Sequence, residues 1–472
     1  MSMKERVPMS TPEAQSVGRC PVEHGGSASL RSRSKASAGR KRPIPGRSFL
    51  TWALSYGSAR GLFRLGVRRG EPIARLLTDP EERRDPYPSY ERLRGPGPLF
   101  KGRFMTATVN HSAANRVLRG DEFGVAEGLG GMPRPLRRAL GAISDSESMN
   151  PLRPPSMLAV DPPEHTQYRR RVSRVFTPRA VAALEPRVQR VADELLDEIA
   201  ASGTSEFDLV ERYASMLPTA VISDILGIPS TKRNEVLRWG DGAGAMLDPD
   251  MPWRTFRAAD RDMHEMVGWF DGHIERLRRE PGDNLLSKLA QLDGDDRLDD
   301  AEMRATGLLV LGAGFETTVS LLGNAVALLD QHPDQCAQAK ADPDLWGNVV
   351  EEVLRFDSPV QVTLREAYED TDIEGVPLDE GDAVLVVLAG ANRDPEVFAD
   401  PGTFNIHREN AGEHLAFSSG VHYCLGASLA RLEAVVGLRT LYARFPDLRI
   451  TGTPQRRPTR VLRGYARMRV AV

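Results

Sequence analysis

The chain is built mostly of stretches with helical periodicity, interrupted by a few short β-like runs. From Pro178 to Ala200, apolar residues recur at Val181, Leu184, Val188, Val191, Leu195 and Ile199. Steps of three and four place them on one helical face. Pro186 suits a first turn and predicts that a new helix starts inside this stretch. Leu217 to Ile228 is apolar on most sides and stops at Pro229, which predicts a buried helix. Asp299 to Gln331 is the longest pattern, with Asp299 and Asp300 where an N-cap belongs. At about 1.5 Å per residue it would span about 50 Å, enough to cross a domain. Ala383 to Ala389 follows Glu380-Gly381-Asp382 and reads as a strand, with shorter strands at Gln361–Arg365 and Asp372–Val376. Helices therefore outnumber strands and do not alternate with them, which excludes a Rossmann arrangement. No internal repeat and no GxxxxGK[ST] loop occur.

Composition narrows the class. The 472 residues are 40% apolar, with 42 Gly, as in an ordinary globular protein. A net charge of −3 argues against a general nucleic-acid binder. Three Cys are too few for a disulfide framework and fit a reducing, cytoplasmic compartment. No uninterrupted apolar run of membrane-spanning length occurs, and no secretory signal is expected at the N-terminus.

Charge is polarised along the chain. Residues 1–70 carry fourteen basic groups against Glu5, Glu13 and Glu23, a net of +11, which leaves −14 for the remainder. Residues 1–45 are rich in Ser, Gly and Arg and are expected to be disordered. Cys20 and His24 lie in that tail and fall short of the four ligands zinc usually takes. Further on, Phe49, Leu50, Trp52, Tyr56, Leu62, Phe63 and Leu65 are interleaved with Arg60, Arg64, Arg68 and Arg69. Such a segment either packs on the main body as a helix or lies on an anionic membrane surface. Residues 1–75 are therefore read as a basic extension, and 76–472 as the main domain.

The strongest chemistry sits in one loop, Phe417-Ser-Ser-Gly-Val-His-Tyr-Cys424-Leu-Gly426-Ala427, which precedes a helical pattern. A Cys at a helix N-terminus faces free backbone N–H groups and the positive end of the dipole, and both favour thiolate. Gly426 lets the backbone pass close to a flat ligand. Such a thiolate could ligate iron. The alternatives are a buried Cys at a helix start, or zinc held by His407, His414, His422 and Cys424 at spacings that match no compact zinc pattern.

The pattern Phe417-x-x-Gly420-x-His422-x-Cys424-x-Gly426 resembles the haem-binding signature of the cytochrome P450 monooxygenases. Ser418 departs from it, because bacterial members usually carry Gly there. Ala313-Gly-Phe-Glu316-Thr317-Thr318, midway along the long helix, resembles the family's acid–alcohol segment. Thr317 can donate to the Ala313 carbonyl and open or bend the helix, and Gly314 would leave room beside it. Glu316 and Thr317 could then pass protons towards oxygen. Glu352-x-x-Arg355 resembles the ExxR motif, with Arg408 in Phe404-Asn-Ile-His-Arg408 closing a buried network that braces the Cys loop. Asp161-Pro-Pro-Glu-His165-Thr-Gln-Tyr-Arg169 resembles the segment that meets the haem propionates, joined by Arg365 and His422. The resemblance covers about residues 78–472.

The resemblance implies the mainly α P450 fold with a small β region and haem b ligated by Cys424. It implies a monooxygenase that puts one atom of O2 into a hydrophobic small molecule by hydroxylation or epoxidation. NAD(P)H would supply electrons through a separate ferredoxin and ferredoxin reductase. An acidic partner is expected to dock on the Cys424 side near Arg170 and Arg171. Residues 122–158, rich in Gly, Pro and Met, are expected to roof the substrate pocket, with Trp239, Met246, Leu247, Met251, Trp253 and Phe256 facing substrate. A peroxide-driven peroxygenase and a haem-thiolate sensor that turns nothing over are the rival readings.

Overall fold

The computed structural model describes residues 47–103, 105–125, 154–173 and 176–472, and these form one unit. The expected tail disorder, Cys20 and His24 lie outside the described residues, as does the part of the expected roof over 126–153.

The long helix runs from Asp300 to Gln331 and starts at the expected cap. Asp299 accepts from Glu302 N while the Glu302 side chain accepts from Asp299 N, a capping box. Most of its residues are buried on all sides, because other helices surround it. Met216–Leu226 is the expected buried helix and ends at Gly227 in the left-handed conformation. The amphipathic stretch divides into Pro178–Ala182 and Glu185–Ala201, with Pro186 in the first turn of the second. Around the long helix gather Arg233–Ala245, Trp253–Arg279, Trp346–Phe356 and Ala427–Arg444, and their inner faces share one large apolar core.

The strands are few and short. A five-stranded sheet runs in the order Phe100–Lys101, Thr106–Thr108, Ala383–Val386, Thr363–Ala367, Phe123–Val125. Only the pairing of Thr106–Thr108 with Ala383–Val386 is parallel. The run expected as one strand over 383–389 stops at Val386, and Leu388–Ala391 turns into a short helix. Apolar continuity therefore marked burial rather than extended backbone. The expected strand at 372–376 is instead a tight hairpin of Thr371–Ile373 and Val376–Leu378. Its turn, Glu374-Gly375, takes positive φ at both residues (52° and 84°), as this hairpin geometry demands.

The N-terminal segment is part of the body. Helical turns run from Arg47 to Arg68, through a π-helical stretch at Ala53–Gly57. Trp52 Nε1 donates to Met251 O at 2.9 Å, and the Tyr56 hydroxyl donates to Met246 O at 3.0 Å. Arg60 donates to Asp250 O. The extension expected over 1–75 therefore has no boundary at 75/76 among the described residues.

Candidate active site

Cys424 follows the short 3-10 turn Gly420–His422 and precedes the helix Ala427–Arg444. Its backbone N donates to Phe417 O at 2.9 Å, which closes the loop on itself. Gly420 has φ of 68°, and a Cβ there would collide with Leu118 O, so glycine is obligatory. Ser418 also takes positive φ, 62°, and its buried hydroxyl has no partner among the described residues. The sequence departure at this position thus places a side chain where glycine is at ease.

Cys424 is exposed, yet it lies deep in the protein's mass. Burial is the largest influence on its thiol and raises its pKa; the Gly426 N–H, Arg169 and Arg431 act in the opposite sense.

The four residues expected around carboxylates come together beside it. His165 and His422 have ring centroids 4.3 Å apart, and His422 Nε2 lies 3.1 Å from Asp161 Oδ1. Arg169 and Arg365 both bear on His165 electrostatically. Burial first, then His422 and Arg169, push the His165 pKa down to about 4. Asp161 is also held by the Tyr368 hydroxyl at 2.6 Å and by Val125 N at 3.0 Å. Arg365 is only 4% exposed, and among the described residues it has no carboxylate partner within 4 Å. Its guanidinium donates only to the Thr363 hydroxyl and the Leu364 carbonyl. Asp161 attracts this guanidinium from beyond 4 Å, but burial outweighs that attraction and lowers its pKa, so the arrangement favours a further anionic ligand.

Behind the loop, Glu352 and Arg355 are fully buried and joined by two 2.7 Å bonds. Arg408 reaches the same carboxylate at 3.3 Å. Arg355 also donates to Asn392 O, and Asn392 Oδ1 accepts from Leu415 N at 2.6 Å. Leu415 O in turn accepts from Ser418 N at 2.8 Å. A continuous chain of bonds therefore runs from the ExxR pair into the Cys loop. Sequence reasoning missed a second tie. Glu351 holds Arg431 at 2.6 Å and His414 at 3.3 Å, gripping the loop on both sides of Cys424, and these partners help hold its carboxyl down at about 2 against burial. The three histidines of the zinc reading go separate ways: His407 to Gln338, His414 to Glu351 and His422 to Asp161.

On the long helix, the Thr317 hydroxyl donates to Ala313 O at 3.0 Å, as expected, without interrupting the helix. Ala313 is exposed and Thr317 half-buried, although they lie mid-helix in the core. Glu316 goes elsewhere. It is 2% exposed and packs towards Gly244 and Arg457. Burial pushes its carboxyl up, against the pull of Arg457, to about 7. Gly314 corrects the expectation of open space beside the helix. A Cβ there would lie 2.8 Å from Ile222 Cδ1, so this glycine serves packing against Met216–Leu226.

Other expectations are also redirected. Trp253 and Phe256 pack against Phe49, Trp52 and Tyr56, and Trp239 packs beside Trp269. Met246 and Met251 present carbonyls to the N-terminal segment. Trp239, Met246, Met251 and Phe256 are buried and Trp253 half-buried by the chain itself, which is why they read as a substrate surface. Arg170 pairs with Asp296 at 2.9 Å while its side chain stays largely exposed, and Arg171 is buried beside the same carboxylate. Glu433, unnoticed in the sequence, is 1% exposed, with the Thr318 hydroxyl acting on its carboxyl. Burial raises its pKa well above the usual range. The signal was its place on the buried face of its helix, beside Leu429, Val436 and Gly437.

A family model described as Cytochrome P450 matches residues 147–455. The chain belongs to the cytochrome P450 family. Cytochrome P450 140 of Mycobacterium tuberculosis is 47% identical over 427 residues, 90% of this chain and 97% of the relative. The 6-deoxyerythronolide B hydroxylase of Saccharopolyspora erythraea is 43% identical over 290 residues, 61% of this chain and 70% of that one. The crystal structure of P450BioI bound to an acyl carrier protein carrying hexadec-9Z-enoic acid superposes with a TM-score of 0.75 at 30% identity. That match covers 84% of this chain and 100% of that one. Membership brings with it the mainly α P450 fold and oxidoreductase chemistry of the haem-thiolate monooxygenase class. The residues present fit haem: an accessible Cys on a glycine-built loop, a buried Arg365 beside the histidines, and Gly426, where a Cβ would meet no atom within 4 Å.

Proposed function

We propose that Cys424 ligates the iron of haem b and that His165, Arg169, Arg365 and His422 receive its propionates. The observation that carries this reading is the buried Arg365, with no carboxylate within 4 Å among the described residues, in a cluster that already brings both histidines together. Phe417 is buried at the start of the loop, and the Arg431 guanidinium stacks over its ring at 4.5 Å, which makes it the loop's apolar anchor. When bound, the haem supplies the oxidising chemistry that puts one atom of O2 into substrate and the other into water.

The chain's own residues handle protons and exclude water. The Thr317 hydroxyl is held by Ala313 O and keeps its lone pairs free to accept a hydrogen bond from the oxygen side. Glu316 sits near its midpoint at neutral pH, so it can both give and take a proton. Arg457 joins it to exposed Asp241, which opens a route to solvent.

The substrate is a hydrophobic small molecule of the lipid, sterol, terpenoid or polyketide kind, hydroxylated at a C–H bond or epoxidised at a C=C bond. The hexadec-9Z-enoic acid in the P450BioI complex and the 6-deoxyerythronolide B named for the Saccharopolyspora relative support this class. Electrons come from NAD(P)H through a ferredoxin and its reductase in the cytoplasm. They would dock beside exposed Val421 and Tyr423, which flank Cys424.

The deciding experiment is the absorbance spectrum of the reduced protein under CO, for the natural chain and for Cys424→Ser. The proposal expects a strongly red-shifted Soret band that disappears in the variant. A band typical of histidine or neutral thiol ligation in the natural chain would overturn Cys424 as thiolate ligand.

A further inference from the structure

The outer face of the N-terminal helical segment is unlike the rest of the surface. Eight large hydrophobic side chains are conspicuously exposed among the described residues, and four lie here: Phe49 (48%), Leu50 (51%), Leu62 (42%) and Leu65 (41%). The inner face is already satisfied. Tyr56, Ala59, Phe63 and Gly66 are buried against the body, so the exposed leucines are not needed for packing. Leu62 and Leu65 are three apart and share one outward stripe. The π-helical stretch at Ala53–Gly57 takes more residues per turn than an α-helix, which rotates Leu50 back towards that stripe.

The charge beside this stripe has one sign. Arg64 and Arg68, four apart, run along its edge, and Arg69 follows at the helix end. All three are exposed, and none forms an ion pair among the described residues. No Asp or Glu occurs between Glu23 and Glu71, and Glu71 is buried with its carboxylate capping the next helix at Ala74 N. Exposed leucines rimmed by unopposed arginines match the two terms of interfacial binding: apolar insertion and attraction to anionic headgroups.

We propose that the face formed by Leu50, Leu62, Leu65, Arg64, Arg68 and Arg69 docks the protein on an anionic lipid bilayer. The segment lies on the surface without crossing it, because its inner face stays packed on the body. Its bonds to Met246, Asp250 and Met251 hold that inner face to the body.

Co-sedimentation of the haem-loaded full chain with phosphatidylcholine vesicles, with and without phosphatidylglycerol, tests this. Binding is expected only with phosphatidylglycerol and should weaken with salt. Leu62→Ser with Leu65→Ser should weaken it about tenfold, and Arg64→Glu with Arg68→Glu by more than that. Every variant keeps residues 1–46, so loss of binding reports this face rather than the basic tail. An unchanged CO spectrum confirms that each variant is folded. Binding unaltered by the leucine pair would overturn the proposal and leave the tail as the anchor. Concentration-dependent dimerisation abolished by the leucine pair, without vesicle binding, would assign the face to a second copy. Binding to an acidic protein but not to vesicles would overturn it in favour of a protein partner.

Discussion

The Glu316 carboxylate, 2% exposed on the long helix, lies 2.5 Å from the Arg457 guanidinium. Arg457 also reaches exposed Asp241 at 3.0 Å, so a buried acid is linked to the surface through one cation. Burial dominates and brings Glu316 up to about 7.

Coupling of O2 reduction to product should therefore titrate near neutrality. Removing the cation with Arg457→Gln should move that limb to higher pH, because Arg457 is what holds the carboxyl down. Glu316→Gln should remove the limb. Stability carries the same signature with a fixed sign. The folded state keeps a proton that the unfolded chain releases, between the ordinary 4.5 and about 7. Stability should thus be lost as pH rises through that window and stay flatter in Glu316→Gln. Thermal unfolding of both proteins across the window checks this, and identical slopes would refute it.

Gly314 tests whether the long helix needs its glycine for packing or for the oxygen side. With Ile222 Cδ1 at 2.8 Å from the added Cβ, Gly314→Ala should destabilise by about 1–3 kcal/mol. Ile222→Val in the same chain removes that methyl and should restore much of the loss. Chemical denaturation of the two single variants and the double variant measures the coupling. A change in O2 coupling at unchanged stability would instead place Gly314 on the reacting side.

Ser418 holds a left-handed backbone with a buried hydroxyl that has no partner among the described residues. Ser418→Gly should stabilise the haem-free and haem-loaded protein alike by about 1–2 kcal/mol, from relief of the Cβ clash. Denaturant midpoints for both forms are the readout. A gain confined to one form would show that the turn changes when haem binds.

Much of this was legible in the sequence, for identifiable reasons. The long helix declared its start because Asp299 and Glu302 satisfy each other's backbone within one turn. Gly420 and Cys424 were legible because a left-handed turn and a helix start need particular residues. Long-range facing was not legible. Gly314 looks the same in sequence whether it opens a cavity or admits Ile222. Glu351 and Glu352 are neighbours, yet one ties Arg431 and His414 while the other ties Arg355 and Arg408. Val387 to Ala391 is as apolar as a strand, but its bonds close a helical turn. For Gly314, Glu351 and Arg408 the deciding partner lies far along the chain.

Breaking the ExxR pair should be severe. Arg355→Lys keeps the charge but cannot reproduce both bonds to Glu352 together with those to Asn392, Pro401 and Thr403. A partly unpaired buried carboxylate costs about 3–5 kcal/mol. The expected outcome is little folded haem protein, with any recovered material losing the thiolate-type CO spectrum faster than the natural chain. Unaltered retention of that spectrum on mild heating would show that the network does not brace the Cys loop.

Arg365 separates the cost of a site from its use. Its buried guanidinium meets no carboxylate within 4 Å among the described residues, and burial depresses its pKa. In the haem-free chain this charge is a liability, so Arg365→Leu should leave apoprotein stability unchanged or raised. In the loaded protein the same group meets an anion, so the variant should release haem faster, by about tenfold or more, as loss of one buried charge-assisted bond implies. Haem transfer to an apo-globin acceptor gives the release rate, and denaturation of the apoprotein gives the other arm. Parallel loss in both forms would reduce Arg365 to a structural residue, and only opposite signs would identify it as a charge held in reserve for the propionates.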